Sequence, residues 1–523
     1  MRKLDKTPEI KNNIHRRRFI KDTVSIGVTA AVLPIVGSIK ANAANHKKGG
    51  HLRQALRGGS VSDTLETGAS SGDTQPQNVK RQIYNNLTEQ LPDGSVGGEL
   101  AESWEATPDA ATWEFKLRKG IEFHNGKSLD AQDVVESIQK HLGEETKSVA
   151  KGLVSGVKEV KANGKHSVIF TLESGDADLP FTLTDHNFAI MPAGIKEGVG
   201  TGPFVLKKWE PGVSAETERN PNYYKEGLPY FDSVETLSVT DATARQNALR
   251  TKTVDVIDDP ILNTLDLFAK SGGINIQETP GNKHYTIPMR MNVSPLDNND
   301  IRLALKHSIN REEILKTILN GHGYIGNDHP ISRAMRYYAD DIPQREYDID
   351  KAKHHLKKSG NSSLDIEIHA ADIFPGGVDT AVLFKNHAEK AGINIKITQV
   401  SKDGYWSKIW NKVPMCVSYW SGRPTANAMF SLAFSSKSTY NETAWNNERF
   451  EKLLVEARAE LNDEKRKDMY AEMQRLVSEE GGLIAPVFAN FVSATSDSIG
   501  MPDKQSSNWV LDGCKNTERW WFA

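Results

Sequence analysis

Strand and helix signals alternate along this chain, and that alternation limits the folds open to it. Thr112 to Leu117 sets Trp113, Phe115 and Leu117 on one face, the period of a half-buried strand. Asp130 stands as an N-cap before a helix carrying Val134, Val135 and Ile138, with Asp133 in its first turn. Asp241 to Arg250 and Asn299 to Lys316 read as amphipathic helices, and Leu364 to Ala370 as an alternating strand. Ala381 to Ala391 reads as a helix followed by the strand Ile393 to Val400. Asp463 to Glu479 reads as a helix burying Met469, Met473, Leu476 and Val477. Val79 to Leu91 is expected as a short helix with Ile83, Leu87 and Leu91 at spacing four. Strands interleaved with helices of this length specify α/β layers. A chain of 523 residues exceeds one hydrophobic core, so two or more lobes are expected.

The first forty-three residues stand apart. His15-Arg16-Arg17-Arg18-Phe19-Ile20-Lys21 resembles the twin-arginine export motif, with Arg16 and Arg17 as the pair. A modest apolar run follows from Val24 to Ile39, and Ala41-Asn42-Ala43 is a small-x-small cleavage site. These features imply a signal peptide over residues 1–43, export of a folded protein by the twin-arginine translocase, and a place outside the cytoplasm. An uncleaved basic tail is the alternative. The segment carries nine Lys/Arg against three Asp/Glu, a net of +6, so the remainder of a chain at −3 lies near −9. Such an acidic protein lacks the electrostatic footprint for nucleic acid or an anionic membrane surface. No apolar stretch is long enough to span a bilayer.

Catalytic and metal patterns are sparse. Gly68-Ala69-Ser70-Ser71-Gly72 matches the G-x-S-x-G nucleophile elbow in form, but its flanks are polar and include Pro76, where an apolar strand and a helix are required. The segment reads better as a loop. Asp365, Glu367 and His369 share one face of a strand and read as its solvated side opposite Leu364, Ile366 and Ile368. Neither H-E-x-x-H nor C-x-x-C occurs, and no structural metal or cofactor is expected. Cys416 and Cys514 could form one disulfide in an oxidising compartment, and free buried thiols are the preferred reading.

The stretch Cys416 to Thr425, CVSYWSGRPT, runs from an apolar aromatic segment into a Gly-Arg-Pro turn. An indole at Trp420 and an always-charged guanidinium at Arg423 can grip a small organic ligand by stacking and by carboxylate pairing. Tyr405, Trp406, Trp410 and Trp445 add aromatics nearby, with lobe core as the competing role for each. Asp372 and Phe374 lie in another strand-end loop, and in α/β lobes ligands sit at such carboxyl ends.

A family resemblance rests on several blocks in order. They are Leu100-Ala101-Glu102-Ser103-Trp104-Glu105; Thr112-Trp113 with Phe115, Leu117, Arg118 and Gly120; Phe123-His124-Asn125-Gly126; and the Asp133-Val134-Val135 helix start. Downstream come Gly202-Pro203-Phe204, Arg219-Asn220-Pro221-Asn222-Tyr223-Tyr224, Val254-Asp255-Val256-Ile257, Asp300-Ile301-Arg302-Leu303-Ala304-Leu305 and Arg519-Trp520-Trp521. Over residues 51–523 the chain resembles the extracellular solute-binding proteins of family 5, the dipeptide/oligopeptide/nickel class of ABC importers. The resemblance implies a two-lobed periplasmic-binding-protein fold with an extra subdomain in lobe I. Residues 44–285 and 492–523 would form lobe I, 83–190 the extra subdomain, and 290–485 lobe II. Two extended crossings, Thr286 to Asn292 and Ile484 to Ala494, would form the hinge. The implied role is binding without catalysis: a monomeric periplasmic protein captures a peptide-like solute and delivers it to a membrane permease and its ATPases.

The implied ligand contacts are Trp420 by stacking, Arg423 to an anion, Tyr405 and Trp406 as walls, Asp372 and Phe374, and the Thr67–Gly68 loop of lobe I. Peptide-binding members hold the ligand's α-ammonium with an aspartate just after the corresponding Trp-containing strand. This chain has no acid in that turn, and Arg423 stands in its place. An arginine there suits a carboxylate or phosphate. An acidic peptide, an amino-acid conjugate or an opine-like compound is the expected solute, and the alternative is Arg423 locking the turn onto a protein carboxylate. A metal chelate, an oligosaccharide, a sensor role, or a hydrolase using Ser70 on the same scaffold are the other readings.

Overall fold

Two long strands, Ile274–Pro288 and Val487–Ser496, pair antiparallel and run through the middle of the largest sheet. This is a computed structural model, and it describes residues 46–69 and 73–523. Arg16, Arg17, the expected cleavage site and Ser70 lie outside the described residues. At one end the two strands join Val256–Asp258, His51–Leu56, Ser233–Ser238, Ser214–Arg219 and Phe204–Glu210. At the other they take on Ser418–Trp420, Leu483–Ile484 and Gly323–Ile325. The sheet is therefore shared by two lobes, each with its own cores.

In one lobe, Leu52, Phe204, Phe231, Val256 and Trp520 pack one cluster and Ala55, Leu249, Val254 and Ile257 another. In the other lobe the shared strands are covered on both faces. Tyr285, Ile287 and Val487 face a cluster with Leu305, Ile368 and Phe384, while Trp420, Leu483 and Ala485 face Phe430, Tyr470 and Val477. Period-two alternation sends neighbouring residues of each strand into different cores. A third body holds a four-stranded antiparallel sheet in the order Ala101–Ala106, Thr112–Leu117, Ser167–Leu172, Val157–Ala162. Its core includes Phe115, Val134, Ile138 and Phe170.

The strand Thr112–Leu117 and the Asp130 cap form as the sequence indicates. Asp130 accepts from the amides of Gln132 and Asp133, and the Asp133 side chain reaches back to the Asp130 amide in a capping box. Two expectations differ. The helix expected over Val79 to Leu91 is Thr74–Ile83, and Thr88–Gln90 pairs as a strand with Val96–Gly98. The Asp93-Gly94 turn between them makes a hairpin out of residues with helical spacing. The helix expected over Asn299 to Lys316 is two, Asn299–His307 and Arg311–Ile318. Asn310 caps the second by accepting from the Glu313 amide at 3.1 Å, a local bond that competes with helix continuation.

The two shared strands lose register between Thr279 and Lys283, several residues before the crossing expected at Thr286. Pro280 contributes no amide hydrogen there. Gly281 lies so close to the neighbouring strand that a Cβ would meet the Ala489 carbonyl at 2.2 Å. Tyr324 Oη and Ser332 Oγ both donate to the Gly281 carbonyl, at 2.7 and 3.0 Å, and pin the irregularity.

The loop 175–178 of the third body docks on the corner between the helices Glu448–Ala459 and Asp463–Glu480. Arg466 donates to Asp178 at 2.7 Å with both side chains almost fully buried, and the Ala177 amide donates to the Arg458 carbonyl at 2.8 Å. Asp176, 3.6 Å from Arg458, is pushed up to about 6, by burial first and by the charge of Asp178 second. A carboxyl raised when folded adds stability at low pH, and that stability is lost as pH rises from about 4 to 6. Asp176→Asn should remove this loss and raise stability at pH 7.5 by about 1–2 kcal/mol relative to wild type. The gap should vanish near pH 4, and denaturant titrations at the two pH values check it.

Candidate functional site

The strands His51–Leu56, Ser233–Ser238 and Val256–Asp258 are parallel, so their carboxyl ends face one way. Arg245 gathers the loops that follow two of them. Its guanidinium donates to the carbonyls of Val239, Thr240, Asp258 and Asp259 at 2.7, 2.9, 3.1 and 2.9 Å. The rim so fixed presents Arg57 and Asp259, paired at 3.3 Å. Across from this rim lies Lys283, at the register break of the shared strand. Its ammonium stands over the rings of Tyr285 and Tyr419 at 5.8 and 5.4 Å. Burial lowers its pKa, and the charges of Asp259 and Arg57 act on it in opposite senses.

The strand Ser418–Trp420 pairs with the shared strand, His284 opposite Trp420 and Tyr285 opposite Tyr419. Gly422, at φ 81°, packs against Asn282 and turns the chain so that the next residue, Arg423, folds back. The Arg423 guanidinium lies 5.4 Å from the centre of the Trp420 ring and donates to the Gly422 carbonyl at 2.5 Å. Among the described residues no carboxylate pairs with it, and burial lowers its pKa.

The structure corrects several expected contacts. Trp420 is only 7% exposed; its indole N–H donates to Glu442 at 3.0 Å and one ring face carries Arg423, so the ring packs in the core and supports the guanidinium. Tyr405 is fully buried, its hydroxyl donating to the Val417 carbonyl at 2.7 Å, and it is core rather than wall. Phe374 is buried against Tyr285 at 4.2 Å between ring centres. Thr67 is buried, and a Cβ on Gly68 would meet His141 and Ser148 at 2.8 Å, so this loop is closed by the third body. Trp406 is 46% exposed and stands edge-on to Tyr419 and Trp410 at 5.7 and 5.9 Å. Asp372 is exposed and accepts from the Val378 amide at 3.3 Å, at the start of the helix Gly377–Glu389.

Glu442 and Lys283 escaped sequence reasoning. Glu442 is buried and accepts from the indoles of Trp410 and Trp420, at 2.5 and 3.0 Å, and from Thr286 Oγ1 at 3.2 Å. Burial raises its pKa against the effect of these bonds. No local pattern marks a lone acid in a loop as the acceptor for two indoles from distant segments. Lys283 sits among polar residues in sequence and is singled out only by the strands around it.

Metal-binding geometry is limited. Glu89, Glu99 and Glu518 bring carboxylate oxygens within 4.8 Å of one another. Cations of the chain already occupy the space between them. Lys515 reaches Glu89 and Glu99 at 2.6 and 2.5 Å, and Lys225 reaches Glu89 and Glu518 at 2.7 and 2.8 Å. Glu367 bonds Lys396 and Asp365 bonds Asn394, both at 2.9 Å. Cys416 and Cys514 are buried and unpaired.

Residues 95–442 match the family described as bacterial extracellular solute-binding proteins, family 5 Middle. The oligopeptide-binding protein AppA of Bacillus subtilis is 24% identical over 93% of this chain and 95% of its own length. Two solved structures share the fold. HbpA2 from Haemophilus parasuis is 21% identical with a TM-score of 0.80, covering 89% of this chain and 99% of that one. The binding protein AgaA from A. tumefaciens R10, in complex with agropinic acid, is 22% identical with a TM-score of 0.70, covering 91% and 99%.

Removal of the Glu442 carboxylate would leave the buried Trp420 indole N–H and the partly buried Trp410 indole N–H without an acceptor. Each orphaned donor costs about 1–3 kcal/mol. Glu442→Ala should therefore destabilise the fold by about 2–4 kcal/mol, with a shift in tryptophan emission, read from urea unfolding followed by fluorescence.

Proposed function

The chain belongs to the bacterial extracellular solute-binding proteins of family 5, and on that premise we propose that it is the periplasmic substrate-binding component of an ABC importer. It captures a peptide or peptide-like solute with an anionic group in the cleft between the lobes and hands it to a permease with its ATPases. It works as a monomer and carries out no catalysis. Export follows the twin-arginine route directed by Arg16 and Arg17. Residues 44–285 and 492–523 form lobe I with 83–190 as its added subdomain, and 290–485 form lobe II.

The observation that carries the anionic ligand is Arg423, a half-buried guanidinium with no carboxylate partner among the described residues. A charge taken out of water without a counter-charge is costly, and a solute carboxylate or phosphate supplies one. Among the described residues no protein carboxylate pairs with Arg423 to lock the turn. The exposed ring of Trp406 and the exposed Asp372 are the remaining lobe II contacts of this reading. The shared strands support the mechanism. Two strands joining two separately packed lobes let them rotate near Thr279–Lys283 as near-rigid bodies. A solute touching both lobes favours the closed form, and closure is a shift of population toward that form.

Calorimetry tests the reading. Arg423→Ala should weaken solute binding by roughly 1.5–3 kcal/mol, the range for a charged hydrogen-bonded contact, while the melting temperature stays nearly unchanged. Equal affinity in the variant would end the Arg423 assignment. Turnover of bound peptides that disappears in Ser70→Ala would favour a hydrolase instead.

A further inference from the structure

Arg423 is not alone in lacking a counter-charge at the cleft. Lys283 is half-buried, and among the described residues its ammonium contacts the ring faces of Tyr285 and Tyr419. The carboxylate acting on it is Asp259, which is held instead by Arg57 at 3.3 Å and set by a left-handed backbone at φ 45°. Cation–π contacts offset part of the desolvation of an ammonium, but they supply no opposite charge. Glu442 is engaged by two indoles and a hydroxyl.

The placement of the two cations is informative. Tyr419 and Trp420 are consecutive on one strand, so their rings project from opposite faces of the sheet. Lys283 stands on the Tyr419 ring and Arg423 on the Trp420 ring. One cation therefore flanks each side of the strand end, with the width of the strand between them. A single carboxylate cannot bridge that span.

We infer that Lys283 is a second anion-binding group of the cleft, and that the solute is a dianion with one anionic group toward Arg423 and another toward Lys283. The inference rests on the reading of the cleft as the solute site. It narrows the solute to compounds with acid groups at two separated positions, and it sets aside peptides whose amino end carries a free ammonium.

The test uses three sets of dipeptides with matched side chains, measured by calorimetry. N-succinyl dipeptides carry a carboxylate at each end, N-acetyl dipeptides carry one, and unmodified dipeptides carry an ammonium and a carboxylate. The full mature protein should bind the best N-succinyl compound at least tenfold more tightly than its N-acetyl counterpart. Lys283→Met should erase that difference. A Lys283→Arg variant, which keeps the charge, should retain most of the preference. Equal binding of the N-succinyl and N-acetyl sets, or an undiminished preference in Lys283→Met, overturns the inference. Tightest binding of the unmodified dipeptides overturns it while leaving the solute-binding role intact. Absence of binding by all three sets counts against both readings.

Discussion

The antiparallel pair Ile274–Pro288 and Val487–Ser496 is the constraint on which the other features depend. Each strand belongs to both lobes, so the position of every cleft residue is set relative to this pair. The backbones come into close contact at Gly281, where no side chain fits against the Ala489 carbonyl. Pro280 interrupts the hydrogen-bond ladder there, and Tyr324 and Ser332 hold the free carbonyl that results. The irregularity is confined to a few residues, and the two strands pair on either side of it. The charged side chains Arg57, Asp259, Lys283 and Arg423 lie near this break.

A second dependence runs through Glu442. A carboxylate buried without a cation is costly unless it is fully hydrogen-bonded. Here two indoles and a hydroxyl satisfy it, and in return it fixes Trp410 and Trp420. Trp420 then gives Arg423 a flat surface to lie on. The Arg423 guanidinium is thus oriented through Trp420 by a buried residue. The aromatic richness of this region serves the core and the placement of charge, with Trp406 and Tyr440 as its exposed rings.

Local elements were legible where local physics decides them. The strand Thr112–Leu117, the capping box at Asp130, and the helices capped by Asp241 and Asn462 follow from periodicity and from side chains that satisfy free amides. Misreadings arose where two local preferences compete. Residues 79–91 have helical spacing, yet Asp93-Gly94 closes a hairpin that claims Thr88–Gln90. Residues 299–316 carry one apolar stripe, yet Asn310 starts a new helix within it. An apolar extended run marks a strand without marking where its pairing breaks, and here the register shifts at Thr279–Lys283.

By itself the sequence determined the α/β class, the family, and the presence of an arginine where an acid would be looked for, because these are properties of residue type and order. Only the tertiary structure decided which of these side chains are buried and what they pair with. Tyr405 and Trp420 look available in a list of aromatics, but their hydroxyl and indole are bonded to Val417 and Glu442, the second 22 residues away. Lys283 has no distinguishing sequence context, and its setting is made by Tyr419, Asp259 and Arg57, brought together from three other parts of the chain. Burial and pairing depend on contacts between segments far apart in sequence, and no local pattern encodes those contacts.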